Sequence, residues 1–195
     1  TDNHTPLVIK DKYLYLVDTA SSPEELYIFD ITDPENPVQA GPETQLIFNI
    51  DSVDENFFCA SAEAIAVSGP NLYALGRIED SGDGVPGVLR IDVNNPASPS
   101  IEDFEPLSSD NEGFDLETYG NYGYATVETV GMDIFSFVPE LQRISTFSIP
   151  TMKSGFIHFK DNYAFVTDQA GPLRIVDIID PASPEAAGTY DPGEA

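Results

Sequence analysis

The stretch that most restricts what this chain can become is LRIVDIIDPASP, Leu173–Pro184, because weakened copies of it recur at Leu26–Pro37 and Val88–Pro99. A segment that returns along a chain marks one structural unit built several times, and such units bury their apolar sides by stacking on their neighbours. Around this marker the chain makes four passes of one pattern. A short apolar strand comes first: LVIK at 7–10, AIAVS at 64–68, FDLETY at 114–119 and FIHFK at 156–160. A tight polar turn leads into an aromatic-centred strand, which puts Tyr15, Tyr73, Tyr124 and Phe165 in equivalence. The third strand, LYIFDI, VLRIDV, MDIFSF or LRIVDI, ends in Asp30, Asp92 and Asp177 in three copies and in Ser136 in the remaining one.

Paired prolines follow the Asp-ending copies in DPENPV, NPASPS and DPASPE. Pro34, Pro96 and Pro181 fix φ and lack a donor, and the Asn or Asp before each favours a turn, so the strand ladder stops there. A fourth, outer strand can then start at Val38 and near Ser100, Leu141 and Glu185. In YLYLV and RIVDII apolar residues occupy both alternating faces, so both faces of each sheet require cover. No stretch has a capped 3.6-residue period, so helices cannot supply it, and the simplest cover is another copy of the same sheet. Four-stranded antiparallel sheets stacked face to face around an axis make a β-propeller. The expected class is therefore all-β, one propeller domain or segment over 1–195, with blades at approximately 6–42, 63–106, 113–150 and 155–190 and an insertion at 43–62. The chain starts in an innermost strand and stops after an outermost one. We expect its four blades to belong to a larger ring, completed by further sequence or another chain; a closed four-bladed ring is the alternative.

GPLRIVDIIDPASPEAAGTY, with DNYAFVTD before it, resembles the repeats of the LVIVD-repeat proteins, which carry a similar aromatic strand, a glycine-led strand ending in Asp and a DPxxP turn. The first and fourth copies match well. The second is one residue shorter between Gly87 and Asp92 than the fourth between Gly171 and Asp177, and the third has Ser136 and a single Pro139. The resemblance implies a β-propeller of secreted or surface-attached microbial proteins, without an assigned catalytic activity.

With 34 acidic against 8 basic residues, the formal charge of −26 repels phosphate backbones and anionic lipids. Nucleic acid is not expected as a partner, nor is direct insertion into a membrane; a protein partner or further blades are. Solubility is the plain explanation of the charge. Cys59 is the only cysteine, which excludes an internal disulfide and a multi-cysteine zinc site. The chain begins at Thr1 rather than Met, as a processed product or a segment of something longer does, so the missing signal peptide says nothing about secretion.

Motifs for chemistry are sparse. The recurrent Asp30, Asp92 and Asp177 are read as structural, each accepting hydrogen bonds from amides of the turn that follows. EDSGDG offers oxygen ligands at Glu79, Ser81 and Asp83, but Arg90 stands where a calcium loop would place its bidentate Glu. A weak Ca²⁺ site there is the one cofactor the sequence leaves open. His4 and His158 belong to no nucleophile motif, and GxSxG, HExxH and P-loop patterns are absent. The short, uniform connections lie on one axial face and the long ones, 19–25, 43–62, 77–87 and 105–112, on the other, which marks the second as the face for contacts. Its candidate contact residues are Asp51, Asp54, Glu55, Phe57, Phe58, Asp80, Asp110 and Glu112. Apolar residues in the 43–62 insertion serve either as an added hairpin or as a contact surface. The expected function is a non-catalytic extracellular or cell-surface module for protein interaction, scaffolding or adhesion. A propeller hydrolase with an axial active site and a Ca²⁺-dependent adhesin are the alternatives.

Overall fold

Two-residue turns set the inner hairpin of every copy. Asp11, Gly69, Gly120 and Asp161 each adopt φ of 54–63°, and the residue that follows each does not take positive φ. This is the pattern of the type II′ turn, whose twist matches that of the strands it joins. Nothing lies within 4 Å of a Cβ built on Gly120, so glycine is used there for its backbone freedom alone.

The computed structural model describes residues 5–20, 24–48, 57–59, 63–79, 84–169, 171–191 and 193; among them there is no helix. Sheet one contains β1 (Leu7–Lys10), β2 (Tyr13–Asp18), β3 (Glu25–Asp30) and β4 (Val38–Gln39) in that spatial order, with β5 (Thr44–Gln45) also on β3. Next come β6 (Ile47–Phe48), β7 (Phe57–Cys59), β8 (Ala64–Ser68), β9 (Asn71–Glu79), β10 (Val85–Asp92) and β11 (Ser100–Pro106), which form sheet two. Sheet three is β12 (Gly113–Tyr119), β13 (Tyr122–Val127), β14 (Gly131–Ser136) and β15 (Gln142–Ser148). Sheet four is β16 (Ile157–Lys160), β17 (Tyr163–Val166), β18 (Leu173–Asp177) and β19 (Glu185–Tyr190). All pairings in the four sheets' inner three strands are antiparallel.

The 43–62 insertion adds strands. β8 pairs β9 from Asn71 to Leu75, and β7 continues along the same edge of β9 at Ile78 and Glu79, with β6 beyond it. On the outer side, sheets three and four share an irregularity. The register between third and outer strands shifts at Ile134/Phe135 and, at the equivalent place, at Ile175/Val176, a β-bulge in each.

The chain divides into two compact units, Thr1–Phe104 and Glu105–Ala195. Within the first, Tyr15, Val17, Leu26 and Ile28 of sheet one pack against Ile65, Leu72, Leu89 and Ile91 of sheet two. Within the second, Tyr124, Met132 and Ile134 of sheet three pack against Ile157, Ala164, Val166 and Val176 of sheet four. Strand alternation delivers these contacts: each set occupies every second position, so one face of each sheet enters the core. Fully burying a side chain of this size contributes about 1.5–3 kcal/mol.

Candidate functional site

The recurrent carboxylates sit at the strand exits. Asp30, Asp92 and Asp177 each accept a hydrogen bond through Oδ1 from the backbone N–H two residues on, Thr32, Asn94 and Ile179, at 2.9, 2.7 and 2.9 Å. A second turn follows at once: Asp33, Asn95 and Asp180 accept from the N–H of Glu35, Ala97 and Ala182. Two successive side-chain-capped turns thus carry the chain around each proline corner. In the third copy Ser136 Oγ donates to the Val138 carbonyl at 2.8 Å, a shorter version of the same exit. Of these three recurrent aspartates only Asp30 pairs with a cation among the described residues, Lys12 Nζ at 2.8 Å. Hydrogen bonds from Lys12, then from the Thr32 hydroxyl and amide, pull its carboxyl down to about 2.

Of the equivalent aromatics, Tyr15, Tyr73 and Tyr124 are buried and Phe165 is half-buried. Burial, ahead of its tyrosine neighbours, pushes the Tyr124 hydroxyl up to about 12. Asp110 and Glu112 are exposed on the 105–112 connection. That connection is tied to its own unit, since the Ser108 N–H donates to the fully buried Asp133 at 2.7 Å and Asn111 Nδ2 donates to the Glu128 carbonyl at 3.1 Å. Phe57 and Phe58 belong to β7 and Glu79 ends β9. Asp51, Asp54, Glu55, Asp80, Ser81 and Asp83 lie outside the described residues. Among the described residues no three His, Cys, Asp or Glu side chains converge as metal ligands would. No described helix is long and apolar enough to cross a membrane.

The residues that stand out most lie on the outward faces of sheets one and four; the expectation of a ring completed from outside the chain required such faces, but the contact residues named from the sequence were all in the long connections. In sheets two and three residues on both faces are buried, Leu72 and Tyr73 in one and Tyr124 and Ala125 in the other. Sheet one has a single buried face. Across its other face run the rows Ile9–Leu14–Phe29 and Leu7–Leu16–Tyr27. Leu7 and Ile9 are each 56% exposed. The rings of Tyr27 and Phe29 stack at 6.4 Å, and the Tyr27 hydroxyl donates to Glu25 at 2.9 Å. That hydrogen bond, ahead of burial and the neighbouring carboxylates, raises the Tyr27 hydroxyl to about 12.

Sheet four's outward face carries the rows His158–Phe165–Ile175 and Leu173–Tyr190. Phe156 and Tyr190 are exposed at 65% and 63%. A signal for both faces exists in the sequence. Aligning the copies position by position gives copy one an apolar face directed away from copy two, and gives copy four, directed away from copy three, a face where Tyr163, Phe165, Leu173 and Ile175 stand beside His158, Lys160 and Asp177.

Comparison with known proteins addresses the architecture. The LVIVD repeat model matches residues 5–42 and 153–192, the first and fourth copies. No curated protein matches the sequence. Among solved structures, the computationally designed Ika4 protein aligns with a TM-score of 0.56 at 9% identity, covering 90% of this chain and 91% of its own. The glutaminyl cyclase of Myxococcus xanthus aligns with a TM-score of 0.52 at 15% identity, covering 97% of this chain and 71% of its own. At such identity the likeness concerns fold alone. Four antiparallel sheets, each with the same four-strand repeat at its centre, give this chain a β-propeller fold, and its first and fourth copies are LVIVD repeats.

Proposed function

We propose that this chain is a non-catalytic interaction module that joins further protein through the outward faces of sheets one and four, outside the cell or at its surface. The observation that carries this reading is the exposure of Leu7, Ile9, Phe156 and Tyr163 on sheets whose opposite faces are packed like the interior of a protein. Covering a large apolar side chain gains about 1.5–3 kcal/mol, so two such faces favour a partner. Location outside the cytosol is supported by the LVIVD-type repeats and by a surface of high negative charge, which stays hydrated in brine.

Carbene footprinting with mass spectrometry tests the faces. In dilute, monomeric protein Leu7, Ile9, Phe156 and Tyr163 are expected to be labelled as strongly as surface residues. Protection of all four in the monomer would mean that the chain covers its own faces, and would overturn the reading. Fractionation of producing cells tests the location: recovery of the protein only from the cytosol would overturn that part.

A further inference from the structure

Resting on that reading, we propose that the two open faces are the two halves of one contact, so that sheet four of one chain packs on sheet one of a second copy, head to tail. Strand register fixes which positions correspond. Leu7↔Leu16 in copy one stands where Ile65↔Ala74 stands in copy two and Ile157↔Val166 in copy four. The open face of sheet one, Leu7, Ile9, Leu14, Leu16 and Phe29, therefore occupies the positions of Ile157, Phe159, Ala164, Val166 and Val176. Those are the residues with which sheet four packs on sheet three. On the open face of sheet four, Phe165, Leu173 and Ile175 occupy the positions of Tyr15, Leu26 and Ile28, which sheet one packs on sheet two. They also match Tyr124, Met132 and Ile134, which sheet three packs on sheet four. One chain thus carries the receiving side of the repeat contact on its first sheet and the inserting side on its last.

The receiving side contains a matching recess. Between sheets three and four, the ring of Tyr124 lies 4.9 Å from that of Phe159. The corresponding pair in the proposed contact is Phe165 of one copy and Ile9 of the other. On sheet one a cavity of about 350 Å³ opens among Ile9, Leu14, Phe29, Ile31, Pro34 and Pro37. An aromatic side chain fits it.

The corners give a separate indication. In the first unit Gly41, just past the outer strand of sheet one, lies so close to the Pro96 carbonyl in the corner of copy two that a Cβ would come within 2.2 Å of it. In the second unit Ser145 Oγ, on the outer strand of sheet three, donates to the Pro181 carbonyl in the corner of copy four at 2.6 Å. Pro96 and Pro181 are half-buried, whereas Pro34 and Pro37 in the corner of copy one are exposed. The first corner is built to meet an outer strand of a preceding sheet, and β19 of a second copy supplies one.

Chains of charge −26 repel each other, so this contact is expected to tighten as salt is added, opposite to a contact held by ion pairs. Analytical ultracentrifugation of the full chain over a range of concentrations, at roughly 0.1 M and 1 M NaCl, is expected to show self-association that is stronger in the higher salt. Ile9→Asp removes the receiving side and Phe165→Asp the inserting side. Each alone should weaken self-association by roughly 100-fold, the loss typical of a central apolar anchor. Mixed, the two variants should form a one-to-one complex, since each retains the half that the other lacks. Where circular dichroism finds either variant unfolded, Leu7→Asp or Tyr190→Asp takes its place. Failure to form the mixed complex, or a Phe165→Asp protein that associates like the wild type, would overturn the head-to-tail contact. So would a wild-type monomer under all conditions. In that case footprinting separates the outcomes: labelled faces sink only the second copy as occupant, whereas protected faces sink the interaction reading as well.

Discussion

Asp30 combines two tasks that are separate elsewhere in the chain. Like Asp92 and Asp177 it accepts the turn amide two residues on, and in addition it holds Lys12 at 2.8 Å. The folded-state value of its carboxyl, about 2, lies below the ordinary 3.8. Its contribution to stability is therefore complete above about pH 4 and is lost as the pH falls through 2. Lys12→Ala is expected to move the Asp30 midpoint upward in a carboxyl-detected NMR titration, because the Lys12 hydrogen bond is the largest cause of the shift. Asp30→Ala is expected to lower Tm at pH 7 and to leave Tm less dependent on pH below 4; an unchanged Tm would remove the structural role. The turn roles of these residues were legible because Asp before a Pro-containing corner has few other uses. The Lys12 pairing was not, since it depends on the register that sets Tyr13 opposite Asp30.

At the scale of strands, the inner edges of sheets three and four are joined by groups that composition concealed. Asp115 on β12 accepts the Ile157 N–H at the start of β16 at 2.7 Å, and the Thr126 hydroxyl donates to the Gly155 carbonyl at 2.8 Å. Burial raises the Asp115 carboxyl, opposed by the backbone hydrogen bonds it accepts. The sign is the reverse of Asp30: Asp115 favours the folded state fully below its unfolded value and loses that contribution as the pH rises through its folded one. Asp115→Ala leaves the Ile157 amide without its acceptor and should cost about 1–3 kcal/mol. Asp115→Asn keeps an acceptor and drops the buried charge, so urea unfolding at pH 7 should show a smaller loss or none. Among 34 acidic residues, nothing in the sequence separates Asp115 or the fully buried Asp133 from surface carboxylates. The third strands and their corners, by contrast, could be placed from the repeat. The pairing of β7 with β9 could not, because FFC carries no cue to the edge it joins.

For the molecule as a whole, charge and apolar faces act in opposition. A charge of −26 on 195 residues opposes compaction, and salt screens it within a few ångströms at molar concentration. Tm is expected to rise as NaCl increases from about 0.1 to 1 M; a flat or falling curve in differential scanning calorimetry would mean that repulsion is not a significant load. The all-β class and the stacking of sheets on sheets followed from apolar residues on both faces of the strands. That same property implied that the sheets at the two ends need cover, but not which residues stay exposed, because a strand apolar on both sides reads alike whether one side is covered or not.

The bulges after Ile134 and Ile175 have a bearing on the fate of these molecules when they are crowded. A bulge bends and twists the outer strand, which spoils the flat ladder that another chain's strand would need in order to zip alongside it. Growth by cross-β stitching is thereby discouraged at the rims of sheets three and four.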